Sequence, residues 1–133
     1  MERLRFSDDA GVLTPRDVAW LLVDWSRRPS VEGRLRMLTS ARSTILAWAG
    51  SELVGVVAAI GDGVAWLYVS LLEVHPDHRG RGIGSELMRH MLDRHRDIYA
   101  IDVSCDDELV PFYERLGMRR LNAMTIRNPA GLP

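Results

Sequence analysis

The chain has 133 residues and a mass of 15.0 kDa, enough for one domain and short for two. Its hydrophobic fraction of 47% and charged fraction of 26% lie in the globular range, which argues against a disordered or fibrous chain. Seventeen basic residues meet 18 acidic ones, a net charge of −1, so the broad basic footprint of a nucleic-acid binder is absent.

Met1 to Arg5 is charged and lacks the apolar run of a signal peptide. All basic residues are Arg, so there is no lysine side chain to be acylated. Residues 3–6 read as a short first strand. Thr14-Pro15-Arg16-Asp17 reads as a helix start, with Thr14 as N-cap, Pro15 at the first helical position and Asp17 at the third. Val18, Leu21, Leu22 and Trp25 follow at helical spacing. Arg27-Arg28-Pro29 breaks that helix, and Ser30 caps a second one carrying Leu35, Met37 and Leu38; Gly33 weakens it.

The pattern then changes to strands over Ser43–Ala49, Leu53–Ile60 and Val64–His75, joined by Gly-containing turns. Three strands with short connections predict an antiparallel meander. Val64 to Leu72, the longest nearly apolar stretch, is about half a membrane span. A helix follows on Ile83, Leu87, Met91 and His95, then a strand over Tyr99–Ser104. This strand, helix and strand succession predicts a right-handed crossover.

The single cysteine, Cys105, rules out an intrachain disulfide or a cysteine-based metal site and fits a reducing, cytoplasmic compartment. At a strand end it reads as a packing residue. Asp106 or Asp107 caps a short helix through Leu116, and Gly117 ends it. Leu121–Arg127 reads as a last strand, and 128–133 as a tail. The expected whole is one α/β domain over 1–133, with a mixed, mostly antiparallel sheet flanked by helices. No membrane, nucleic-acid or metal partner is expected. An exposed last strand suggests a homodimer.

The chemically informative stretch is Leu72-Glu73-Val74-His75-Pro76-Asp77-His78-Arg79-Gly80-Arg81-Gly82-Ile83-Gly84-Ser85. A strand ends at a proline, and a glycine-rich turn opens into a helix. Such a helix start offers unpaired N–H groups and a partial positive charge. Gly80, Gly82 and Gly84 lack a Cβ, and Arg79 and Arg81 add charge, so the turn suits a diphosphate. The spacing is neither a dinucleotide fingerprint nor a Walker A loop.

The run from Val74 to Gly84 resembles the acetyl-CoA-binding motif of the GNAT superfamily of N-acetyltransferases, Arg/Gln-x-x-Gly-x-Gly/Ala, met here by Arg79, Gly82 and Gly84. Pro111-Phe112-Tyr113-Glu114-Arg115-Leu116-Gly117-Met118 resembles a second motif of that family. The resemblance covers Leu53 to Arg127; residues 1–42 match only in element order. It implies a GNAT-like acyl-CoA N-acyltransferase fold whose sheet splays open. Leu72, Glu73 and Val74 would hold the pantetheine arm through backbone groups. Arg79, Gly80, Arg81, Gly82, Ile83, Gly84 and Ser85 would wrap the diphosphate.

Tyr113 matches the general acid that protonates the departing thiolate, and Glu73 is the candidate base or amine-binding residue. Asp106 stands where relatives often carry an asparagine that contacts CoA. Attack by the amine is direct in this family, so Cys105 is not needed as a nucleophile. The implied reaction moves acetyl from acetyl-CoA to a primary amine of a small molecule or peptide. Specificity is expected in residues 7–42 and the last strand, with Trp20, Asp24, Trp25, Glu32 and Glu73 as candidates to meet a cationic amine. The rival reading is a non-catalytic acyl-CoA-binding sensor or regulatory module.

Overall fold

A computed structural model describes residues 3–133; Met1 and Glu2, part of the charged N-terminal stretch, lie outside the described residues. Five strands form one sheet in the order β1-β2-β3-β4-β5. They are β1 (Leu4–Ser7), β2 (Ser43–Ala49), β3 (Glu52–Gly61), β4 (Trp66–Val74) and β5 (Ala100–Val103). The first four run antiparallel, and β5 lies parallel to β4. That parallel pair is joined by the crossover helix α2 (Ile83–Arg94), as the succession of elements predicts. α1 (Val31–Thr39) precedes the meander and α3 (Val110–Glu114) follows β5.

Both faces of the sheet are covered, which is why β2 and β3 read as continuous apolar runs rather than alternating ones. On one face Ile45, Ala47 and Val57 pack against Ile83, Leu87, Met88 and Met91 of α2. On the other, Leu46, Trp48, Val56 and Ala58 pack against Leu38 of α1 and against Val18, Leu21 and Leu22. Gly55 sits directly under α2, where a Cβ would lie 2.9 Å from Leu87 Cδ1 and 3.0 Å from Ile83 Cγ2. The start of α2 therefore seats close on the sheet.

Ser30 caps α1 as expected, its Oγ accepting from the Gly33 N–H at 2.9 Å. Gly33 has a use that helix propensity misses. A Cβ there would meet the Pro133 backbone at 2.9 Å, and Ser30 N–H donates to Pro133 O at 3.0 Å.

Two predicted elements differ. The start signal at Thr14 is present, with Thr14 N–H and Oγ1 both donating to Asp17 Oδ2, but no α-helix follows. Residues 14–25 instead form overlapping turns: the amides of Asp17, Ala19, Leu21, Val23 and Trp25 each donate three residues back. Leu22 adopts φ 59°, outside any right-handed helix. The carbonyls that would feed a helix ladder go to two arginines. Arg34 Nη1 donates to Val18 O at 2.8 Å and Ala19 O at 3.2 Å, while Arg28 Nε donates to Leu21 O at 2.9 Å. Apolar spacing still buries Val18, Leu21 and Leu22, so the expected buried face survives without the helix.

The second difference is Leu121–Arg127, which joins no ladder. Leu121, Met124 and Ile126 are exposed, the last two at 98% and 99%. The segment has β-forming residues, yet a strand exists only where a neighbour accepts its hydrogen bonds. Among the described residues, no helix is long and apolar enough to cross a membrane.

Candidate active site

The meander and β5 part company midway along β4. The parallel ladder runs from Trp66↔Ala100 to Val69↔Val103 and stops there. Beyond it, β4 keeps β3 on one side and, among the described residues, has no strand on the other. The β3–β4 register shifts at this point: Ala58 pairs Leu71 and Ala59 pairs Val69, leaving Ser70 as the extra residue of a bulge.

That bulge re-aims the strand. Leu67 and Val69 face α2, but so do Leu72 and Val74, while Leu71 joins the α1-side core. By strand alternation Glu73 therefore shares the α1-side face with Leu71. His75 N–H donates to Val54 O at 2.8 Å, toward β3. By alternation, the backbone groups of Leu72 and Val74 turn into the gap. Val74 O confirms the direction, accepting from Arg79 Nε at 3.2 Å rather than from a strand.

The chain then turns at a 3-10 helix, Pro76–His78, with His75 Nδ1 accepting from Asp77 N–H at 3.1 Å. His78 Nε2 meets Glu52 Oε1 at 2.9 Å, tying the loop to the start of β3. Gly80 and Gly82 hold φ 79° and 81°, a region costly for residues with a Cβ. Gly82 is also the N-cap of α2 and, having no side chain, supplies no cap. The first amides of α2 are thus left for an outside acceptor, with the helix dipole behind them. A cavity of about 280 Å³ lies in front of them, between Val74, His78, Arg79, Gly80, Gly82 to Ser85 and Phe112. An anion with an extended arm fits this set of donors. The chain supplies N–H groups and Arg79 here, and a Cβ at Gly80 or Gly82 would project into open space.

Glu73 is half-buried beside this gap. Burial raises its pKa, the Arg79 charge pulls it down in part, and Asp24 pushes it up. Asp24 arrives from the turn segment and pairs with Arg79 at 2.9 Å, so the segment expected to meet the acceptor touches the glycine-rich loop directly. Trp20 is held there by its Nε1–H to Leu53 O at 3.0 Å, with its ring 5.3 Å from that of His75. Trp25 is exposed at the same segment's end. Glu32 lies in the first turn of α1.

Tyr113 lies on α3 with only 8% of its surface exposed. Among the described residues no protein group hydrogen-bonds its hydroxyl, and no buried side-chain polar atom lacks a partner. The hydroxyl oxygen therefore keeps some contact with solvent. Burial, with Cys105 and Tyr68 nearby, pushes its pKa up to about 12, so it carries its proton throughout the neutral range. Cys105 itself is exposed just past β5, not packed as its position at a strand end suggested. Asp106 occupies the N-cap position of the 3-10 turn Asp107–Leu109 but makes no side-chain cap bond; Asp107 pairs instead with Arg120 at 3.7 Å. The expected acidic cap is thus made by neither residue.

A larger cleft of about 460 Å³ opens elsewhere, between Asp8, Arg42, Arg94 and His95. Within it Arg94 pairs with Asp8 at 3.2 Å and His95 meets the Ser43 hydroxyl at 2.9 Å. Among the described residues no three His, Cys, Asp or Glu side chains are placed to hold a metal ion.

Comparison with known proteins agrees with this geometry. Residues 21–129 match the family of acetyltransferase (GNAT) domains. A crystal structure from Deinococcus radiodurans R1, provisionally described as an acetyltransferase, superposes with a TM-score of 0.90 at 38% identity, over 97% of this chain and 91% of that one. A GNAT-family acetyltransferase of Streptococcus pneumoniae TIGR4 shares the fold, with a TM-score of 0.77 at 24% identity over 95% and 98% of the two chains. An uncharacterized N-acetyltransferase of Gracilaria tenuistipitata var. liui is 29% identical over 100 residues, 71% of this chain. The chain spans about half the length of that curated relative, 55% of it.

Proposed function

This chain belongs to the GNAT family of acetyltransferases, and on that premise we propose that it moves the acetyl group of acetyl-CoA to a neutral primary amine of a small molecule or peptide. One observation carries the reading: an uncapped helix start and an unpaired half-strand open into the same gap, which is lined by Phe112, the chain neighbour of the protonated Tyr113. Gly82 to Ser85 would meet the diphosphate with backbone N–H groups. Leu72 and Val74 would bind the extended pantetheine as an added strand. Bound there, acetyl-CoA supplies an activated thioester.

The remaining work falls to this chain's side chains and backbone. The Val74 N–H, turned into the gap, polarises the thioester carbonyl. Glu73 accepts the ammonium proton, leaving a lone pair on the amine. The C–N bond forms, the C–S bond breaks, the Tyr113 hydroxyl protonates the leaving sulfur, and the second proton shed by the nitrogen as the amide forms returns to the Tyr113 oxygen. Asp24 and Trp20 border the acceptor side.

The test is thiol release from acetyl-CoA against a panel of amines, polyamines, amino acids and peptides. Release with at least one amine is expected. Acetyl-CoA at 100 times its Kd should also add about 2.7 kcal/mol of stability and raise Tm by about 10 °C. A Tm shift without release for any amine would favour an acyl-CoA sensor, and no shift at millimolar CoA would reject both readings.

Glu73 gives the reading a pH dependence. A base must be deprotonated, so kcat/KM should rise with pH through a limb set above the ordinary carboxylate range, because burial raises this pKa. Glu73→Gln should remove that limb and leave CoA affinity within about twofold. A limb that persists unchanged in the variant would assign it to another group.

A further inference from the structure

One guanidinium spans the two substrate sides. Arg79 Nε donates to Val74 O at 3.2 Å, and Arg79 Nη2 donates to Asp24 Oδ2 at 2.9 Å. Arg79 also lines the cavity in front of α2. It therefore has two anionic claimants: the Asp24 carboxylate and, under the proposed function, the diphosphate of the donor. Both ends of the pair are exposed, 46% for Arg79 and 66% for Asp24. An exposed ion pair holds its partners together by about fivefold or less. A diphosphate offers the fork of the guanidinium more charge and oxygens side by side. The pair is thus weak enough for the donor to break.

Breaking it leaves Asp24 as a free carboxylate on the acceptor side. The chain is bent to bring it there. Leu22, buried and two residues earlier, holds φ 59°, a conformation that a leucine side chain disfavours. Trp20 and Trp25 flank Asp24 along the segment, and aromatic faces attract cations. Arg28 and Arg34 place their guanidinium groups on the segment's own carbonyls. Asp24 also stands near enough to Glu73 to push that carboxyl's pKa up. Glu73 takes the proton of the reacting nitrogen, which must be neutral to attack. A carboxylate held on the same nitrogen would keep its proton on. Asp24 is therefore placed for a different positive group of the same molecule.

We propose that Asp24 selects the acceptor: it binds a second cationic group of an amine that carries one, as a diamine does, and Arg79 occupies it until the donor draws the guanidinium away. The inference rests on the acetyltransferase reading. It makes the two substrates help each other bind, by one and the same factor in either direction. That factor is the strength of the Asp24–Arg79 pair, about two- to fivefold.

Calorimetry with CoA tests this without turnover, with the diamine putrescine and its monoamine counterpart butylamine as probes. Millimolar putrescine should tighten CoA binding about two- to fivefold, and butylamine should not. Asp24→Asn should tighten CoA alone by the same factor and abolish the putrescine effect. Arg79→Gln should weaken CoA, and adding Asp24→Asn to it should change nothing further. In steady state, Asp24→Asn should raise KM for putrescine about tenfold, the loss of a charge-assisted contact, and leave kcat within about twofold and butylamine unaffected. Asp24→Glu should restore most of the preference. Both side chains are exposed, so the melting curves of the variants should match the wild type. An Asp24→Asn variant that binds CoA like the wild type overturns the proposal. So does a gain that persists beside Arg79→Gln, or an equal loss for putrescine and butylamine. CoA binding without thiol release for any amine fails the acetyl-transfer reading alone, and the putrescine titration still decides the proposal.

Discussion

Tyr113→Phe should lower kcat about a hundredfold while acetyl-CoA affinity and Tm stay near wild type. The substitution keeps the ring that packs on the α2-side core and removes one oxygen. No protein group hydrogen-bonds that oxygen among the described residues, so its loss breaks no internal contact. Its proton is needed only as sulfur departs, and an interaction confined to the transition state changes turnover and not ground-state affinity. A hundredfold loss is the low end for general acid catalysis. With its pKa pushed up to about 12, the phenol should impose no falling limb on the rate below about pH 10. Single-turnover kinetics and a melting curve on one preparation check both halves. Wild-type turnover in the variant would remove Tyr113 as the acid.

Gly82→Asp should weaken CoA binding by at least a hundredfold and leave the protein folded. The new Cβ meets nothing within 4 Å, and Asp tolerates the left-handed backbone better than most residues. Its carboxylate would stand at the N-cap of α2, where it competes for the same N–H groups and repels a diphosphate. Gly82→Ala separates charge from bulk: it carries the backbone strain, on the order of 1–2 kcal/mol, without the anion. A much smaller loss of affinity is expected for the alanine by titration calorimetry. Equal affinity in Gly82→Asp and wild type would show that the turn does not hold the cofactor.

The stretch from Ser43 to Gly117 is legible in the sequence because its signals are local. Gly50 and Gly63 mark turns, the apolar period switches at Pro76, and Gly117 closes α3 with φ 91°. The strand boundaries at Ser43, Ala49 and Val103 fall within one residue of expectation or on it. The glycine turn is legible for the same reason, since backbone freedom and absent side chains are written directly as Gly80 and Gly82.

Long-range partners are what the one-dimensional pattern hides. Thr14 and Asp17 announce a helix correctly, but Arg34 and Arg28, up to 16 residues away, take the carbonyls the helix would have used. The Ser70 bulge is silent as well, because a strand buried on both faces has no alternation to break. Leu121–Arg127 carries β-forming residues, but whether a neighbour accepts its hydrogen bonds is not written in its own sequence. Gly33 reads as a weak helix residue until Pro133 is seen against it.

The two faces of the sheet have unequal duties. The glycine turn and α2 rest on one core, and the turn segment at 14–25 rests on the other, with a layer of backbone between them. That segment holds its shape through guanidinium groups on its carbonyls, which constrain the path of the main chain and little of its side-chain chemistry. Under the proposed reading, Trp25 and the other exposed side chains of the segment are then free to vary among related chains, whereas Trp20 and Asp24, held by Leu53 O and Arg79, change only together with the donor side. Acceptor choice becomes an interchangeable surface on a fixed acetyl-handling chassis, and selection for a new amine has a short, stability-neutral path to follow.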